Sequence, residues 1–120
     1  MFADPSVVTI NAVAKNLVRI NQDQYSSEYM LRSSTDEIKL TIRNSSYFNK
    51  KTGVGTDRHN VELVQTVFPV APATQATTRK AYVVIENQRG DDLTANTKFA
   101  AGLLAFLTEA NITKLFGYES

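Results

Sequence analysis

The stretch FAAGLLAFL, Phe99 to Leu107, constrains this chain more than any other, because it is apolar around its whole circumference. Ala100, Leu103, Leu104 and Leu107 recur at helical spacing, and Asp91 and Asp92 upstream supply a capping side chain and favourable charge at a helix N-terminus. Phe99, Ala101, Ala105 and Phe106 then fill the remaining faces, so no polar stripe is left for solvent. The run is less than half of the ~20 residues a membrane-spanning helix needs. It must therefore be buried in protein, and no membrane partner is expected. One sheet covers only one side of such a helix, so a second surface is required.

Upstream of Gly90 the period is that of strands. SVVTINA, KNLVRIN, EYMLRS, DEIKLTIRNS, HNVELVQTVFPV and TRKAYVVIENQ alternate apolar and polar residues and are rich in β-branched ones. Short polar connections predict antiparallel neighbours. Two connections read as longer loops: SYFNKKTGVGTDR, Ser46 to Arg58, with Gly53, Gly55 and three cations, and PVAPATQATT, with two prolines that cannot donate to a ladder. Asn111 is expected to cap a second short helix through Ile112, Leu115 and Phe116, which Gly117 ends.

The predicted fold class is α+β: an antiparallel sheet with an N-terminal hairpin, followed by two C-terminal helices packed on one face. At 120 residues this is a single domain, 1–120, with the hairpin at about 6–21, the main sheet at about 27–89 and the helices at about 92–117. A chain of that length has little burial to spare if it lives alone. With no cysteine, disulfides and thiolate metal sites are excluded. MFADPSVVTI lacks the basic and apolar regions of a signal peptide, so the protein is expected to stay where it is made.

A single His, no nucleophile-elbow pattern and no spaced metal ligands argue against catalysis, so no enzyme, metal or cofactor is expected. His59, beside Arg58, reads as a surface residue, and Gly53–Gly55 as a turn. A different constellation stands out. If Ile38, Leu40 and Ile42 face the helices, Glu37, Lys39, Thr41 and Arg43 lie on the open side of the sheet. Asn60 and Glu62 join them from the next strand, and Lys80, Tyr82, Val84 and Glu86 from the last. Cations neutralise phosphates, Thr and Asn reach base edges, and a strand-borne ring gives an unpaired base a stacking platform. The same pattern also fits an ordinary solvent-facing sheet. The formal net charge of +1 does not decide the matter.

LTIRNSS with its following basic loop, TRKAYVVI, and GDDLTANTKFAAGLLAFLTEANITKLFGY together resemble, in order and spacing from Asp36 to Tyr118, the coat proteins of single-stranded RNA bacteriophages, the levivirus-like group. The resemblance implies an interlocked homodimer, with sheets joined edge to edge and helices exchanged through Phe99, Leu103, Leu104, Phe106 and Leu107. It implies that dimers self-assemble into an icosahedral shell in the bacterial host cytoplasm, giving a virion whose sheet faces the enclosed RNA. Single-stranded RNA, as genome and as a translational-repressor hairpin, is then the partner. Carried over by position, Thr41, Arg43 and Ser45 are RNA-facing, Tyr82 stacks on a loop base, and Glu86 is a further polar position. Lys39, Lys50, Lys51, Arg58 and Lys80 complete the expected RNA-binding set. Val84 and Lys39 depart from the family's usual choices and leave the particular hairpin open. The alternatives are a small dimeric RNA-binding regulator that forms no shell, and a small hydrolase or isomerase using Glu62 or Glu86.

Overall fold

The computed structural model describes residues 1–120. Strands β1 (Ser6–Ile10), β2 (Val13–Gln22), β3 (Ser26–Arg32), β4 (Asp36–Asn49), β5 (Val54–Val67) and β6 (Thr77–Gln88) form one antiparallel sheet in chain order. Helices α1 (Leu93–Phe106) and α2 (Glu109–Phe116) follow, bent by 64° at their junction. Element order and class are those the sequence predicts. Neither helix is long and apolar enough to cross a membrane by itself.

β2 serves two neighbours. Its first half pairs with β1 and its second half with β3, and the register shifts between Arg19 and Asn21. The sheet curls there, bringing Leu17 down onto Tyr29, Ile38 and Ile42 to form the buried core, with Val8, Ile10, Leu31, Leu40 and Leu63 packed around it. Ile38, Leu40 and Ile42 thus lie beneath the N-terminal hairpin, not beneath the chain's own helices as the alternation suggested. The reason is local: Leu17 and its β1 neighbours are already connected to the strand at that position, whereas α1 starts from the far edge. Arg19 ties the curl down. Its guanidinium donates to the Tyr29 hydroxyl at 3.1 Å and to the Phe2 carbonyl at 2.8 Å, and lies 5.3 Å from the Tyr29 ring centre. Its hydrogen bond holds the Tyr29 phenol below its ordinary pKa.

The long Ser46–Arg58 loop is not there. β4 and β5 continue as a ladder, Ser46 opposite Asp57 through Asn49 opposite Val54, and only Lys50 to Gly53 turns. Gly53 takes a φ of 71° and donates its N–H to the Asn49 carbonyl at 2.8 Å, a left-handed position that favours glycine. Gly55, read as a turn residue, is inside β5, where the Arg89 side chain lies so close that an added Cβ would stand 3.0 Å from Arg89 Cδ. Across that glycine Arg89 reaches the Asp57 carboxylate at 3.1 Å, while its N–H donates to the Gly55 carbonyl. Gly90, at φ 87°, then turns the chain, and Asp92 caps α1 by accepting from the Thr94 N–H.

Thr108, not Asn111, caps α2. Asn111 donates to the Phe106 carbonyl at 2.6 Å and so closes the end of α1 instead. No residue of either helix is buried. α1 lies against the second half of β6, where Phe99, Ala100 and Leu103 line a shallow cleft with Val84 and Ile85, and a second cleft sets Ala100 and Leu104 beside His59 of β5. The chain is accordingly spread out. Its radius of gyration is 17.4 Å, against about 14 Å for a compact domain of this length. It exposes 9315 Å², where a monomer of its mass would expose about 6,500 Å².

Two outcomes follow for stability. Leu17→Ala should cost about 2–5 kcal/mol in chemical denaturation, whereas Val7→Ala, on the exposed side of the same hairpin, should stay within about 0.5 kcal/mol. Equal losses would mean that the hairpin does not close the core. Asp36 accepts from the Ser33 hydroxyl and then from the Gln65 amide, and both bonds hold its carboxyl below the ordinary 3.8. A depressed carboxyl stabilises the fold above its unfolded pKa and loses that contribution as pH falls through the folded one. Asp36→Asn should therefore flatten the loss of stability on acidification below about pH 4, read as melting temperature against pH.

Candidate nucleic-acid interface

In an antiparallel ladder, residues directly opposite one another present side chains on the same face. The register of β3 to β6 therefore sorts the polar side into rows. Met30, Lys39, Val64 and Lys80 make one, and Glu28, Thr41, Glu62 and Tyr82 the next. Ser26, Arg43, Asn60 and Val84 follow, then Ser45, Arg58 and Glu86. Eight of the ten positions expected to meet RNA stand in these rows: Lys39, Thr41, Arg43, Ser45, Arg58, Lys80, Tyr82 and Glu86. Lys50 and Lys51 do not join them. They sit at the tip of the β4–β5 hairpin, about 30 Å along the strand from the Thr41 row.

The rows differ in what they offer. Tyr82 is 62% exposed, and Lys80 stands over its ring with Nζ 5.9 Å from the centre. Thr41 is only 7% exposed between the Glu28 and Glu62 strands, so it contributes packing rather than an accessible hydroxyl. Lys39 pairs with Glu28 at 3.6 Å, Lys80 with Glu62 at 3.9 Å and Arg58 with Glu86 at 3.7 Å. Arg43 forms no ion pair and opens onto a cleft of about 560 Å³ lined by Asp23, Tyr25, Ser26, Arg58 and Asn60 among others. Asp23 is held below its usual pKa, chiefly by the Ser26 hydroxyl and then by the Tyr25 and Ser26 N–H groups, so the cleft keeps one carboxylate at its rim.

Tyr25 is the residue that sequence reading missed. It falls in NQDQYSS, which reads as a plain connection, and only the β2–β3 turn brings it to the cleft that Arg43 lines. Glu28 is also absent from the expected polar face, and Glu62, which the alternation places there, is not among the positions expected to meet RNA.

On the opposite face, the hairpin covers the β3–β4 end and leaves the β6 end open. Val61, Val83 and Ile85 line up there with His59. His59 is half-buried, not a free surface residue: its ring nitrogens meet Asn44 Oδ1 at 2.7 Å and Asn87 Oδ1 at 3.1 Å, joining three strands. The expected interface residues form the exposed side of α1, with Phe99 83% exposed and Leu103, Leu104 and Phe106 also exposed. Leu107 is half-buried at the bend.

A family model described as the coat protein of phage phiCb5 matches residues 3–88. No curated protein matches the chain. Among solved structures, the virus-like particle of Wenzhou levi-like virus 1 superposes with a TM-score of 0.60 at 17% identity, covering 95% of this chain and 96% of that one. At that identity the likeness speaks for the fold, and it extends through the two helices beyond residue 88. A coat protein is a structural component of a virion, so the reading of Glu62 or Glu86 as a catalytic acid falls away. The family model covers the curled hairpin and the whole sheet that carries the ordered polar rows, and on that match the chain belongs to the phage phiCb5 coat protein family.

Proposed function

We propose that the chain works as an interlocked homodimer that assembles into an icosahedral shell around single-stranded RNA, in the cytoplasm of a bacterial host. The observation that carries this reading is the surplus of roughly 2,800 Å² over the surface expected of a monomer of this mass, set against the 9315 Å² exposed. Obligate dimers bury about 2,000–5,000 Å² in total, and their interfaces resemble a domain core cut in half. The apolar side of α1, the exposed Val61 and the half-buried Val83 and Ile85 supply such a half-core. β6 adds an unpaired sheet edge, of the kind that pairs with another strand unless it is blocked. A second copy joined at β6 would carry the polar rows of both subunits onto one continuous surface, with the helices on the opposite side. That arrangement supports RNA contact on the shell's inner face and a hairpin-binding, repressor role through Tyr82, Arg43 and their neighbours.

The whole reading is tested on purified protein by electron microscopy and nuclease challenge. Closed particles holding protected RNA are expected, and a dimer that never grows would make the chain a regulator instead. Leu103→Asp places a charge in the half-core and should abolish both dimer and particle in sedimentation. Wild-type particles from that variant would remove α1 from the interface. For the polar rows, Tyr82→Ala should weaken binding of single-stranded RNA by about 1–3 kcal/mol through lost stacking. Arg43→Ala should lower the slope of log K against log salt by about 0.7–0.9, one phosphate's worth. Unchanged affinity in both, measured over a salt series, would show that RNA meets another surface.

A further inference from the structure

Three of the four cations in the centre of the polar rows are already engaged. Lys39, Arg58 and Lys80 each face a carboxylate on the neighbouring strand, at 3.6, 3.7 and 3.9 Å, and only Arg43 has none. Glu62 is the most enclosed of these carboxylates, its side chain 20% exposed, and it stands directly opposite Tyr82 in the register. Lys80 is held between the two, its ammonium near the Glu62 carboxylate and over one face of the Tyr82 ring. A phosphate that approaches Lys80 comes to rest beside the negative charge of Glu62.

We propose that Glu62 is a specificity-determining residue that keeps the RNA backbone off the centre of the sheet and admits bases there instead. The inference rests on the polar rows being the RNA-binding surface. Lys80 occupies one face of the Tyr82 ring, which leaves the other for one stacked base. A carboxylate within reach of that base accepts hydrogen bonds from exocyclic amino groups and repels phosphate. Phosphates are thereby directed to Arg43, the only one of these four cations without a carboxylate partner, with its cleft beside Tyr25. A duplex presents a continuous phosphate surface and no free base, so it meets Glu62 without gaining the stack. A single-stranded segment with splayed bases does gain it. The ligand class is therefore unpaired RNA whose base at Tyr82 carries an amino group.

The experiment measures affinity of the full chain for two probes, a single-stranded oligonucleotide of mixed sequence and a blunt RNA duplex of equal length, over a salt series. Glu62→Gln keeps the side chain's shape and removes its charge. It frees Lys80 and should raise duplex affinity about two- to fivefold, the scale of one exposed ion pair, and steepen the salt slope by about one phosphate. In a Lys80→Gln background the same change should leave the salt slope unaltered, because the freed cation is gone. A merely structural role for Glu62 would lower affinity for both probes and leave the slope as it was. If Glu62→Gln leaves duplex affinity and slope at wild-type values while Tyr82→Ala and Arg43→Ala still weaken binding, the gating role is wrong and the RNA surface stands. If all of these variants bind as wild type, the surface itself is misassigned.

Discussion

The register of the β4–β5 ladder is the constraint on which the rest of this molecule depends. With both strands running the same length and paired end to end, every residue from Asp36 to Val67 outside the turn is committed to one face or the other. A slip by a single residue would send Ile38 and Ile42 into the polar rows and Arg43 into the core. The buried contacts of Ile38 and Ile42 with Leu17 and Tyr29 therefore hold more than a core. They fix which side chains can meet a ligand on the far side, so packing and recognition are set by one alignment.

A second consequence of the sheet is an unequal distribution of cover. The N-terminal hairpin folds over one end of the apolar face, and the other end has only the near side of α1 against it. No residue of either helix is fully buried, which is a poor arrangement for a solitary domain and a sound one for half of a pair. The apolar circumference of Phe99 to Leu107, puzzling for a helix lying on its own sheet, fits a helix enclosed by a second subunit.

Much of this was legible in the sequence because a period of two leaves little freedom. The alternation of DEIKLTIR and TRKAYVVIEN assigns Lys39, Arg43, Lys80 and Tyr82 to the polar face, and the register agrees. What could not be read is what lies next to what across strands. Thr41 is selected by alternation yet is enclosed by its neighbours, and the pairing of three cations with carboxylates appears only once the strands are aligned. SYFNKKTGVGTDR reads as a loop because glycine and lysine outweigh Tyr47 and Phe48, but a long partner strand extends pairing through residues of indifferent propensity. The cover over Ile38 came from a hairpin whose curl depends on one register shift in β2, a feature with no signature in composition. Tyr25 was lost for a similar reason, since a turn's side chains are placed by its geometry.

The clamp at Arg89 also sets a mechanical property of the subunit. It anchors the end of β6 to β5 through the Gly55 carbonyl and the Asp57 carboxylate, immediately before the chain turns into α1. The helix that follows is some 21 Å long, and the joint it starts from is held to the sheet by an arginine lying over a residue without a side chain. A tilt of about 10° at that joint would swing the far end of the helix by roughly 4 Å, enough to change which groove of a neighbour it enters. The direction in which α1 leaves the sheet is therefore set at this joint, before any neighbour is met.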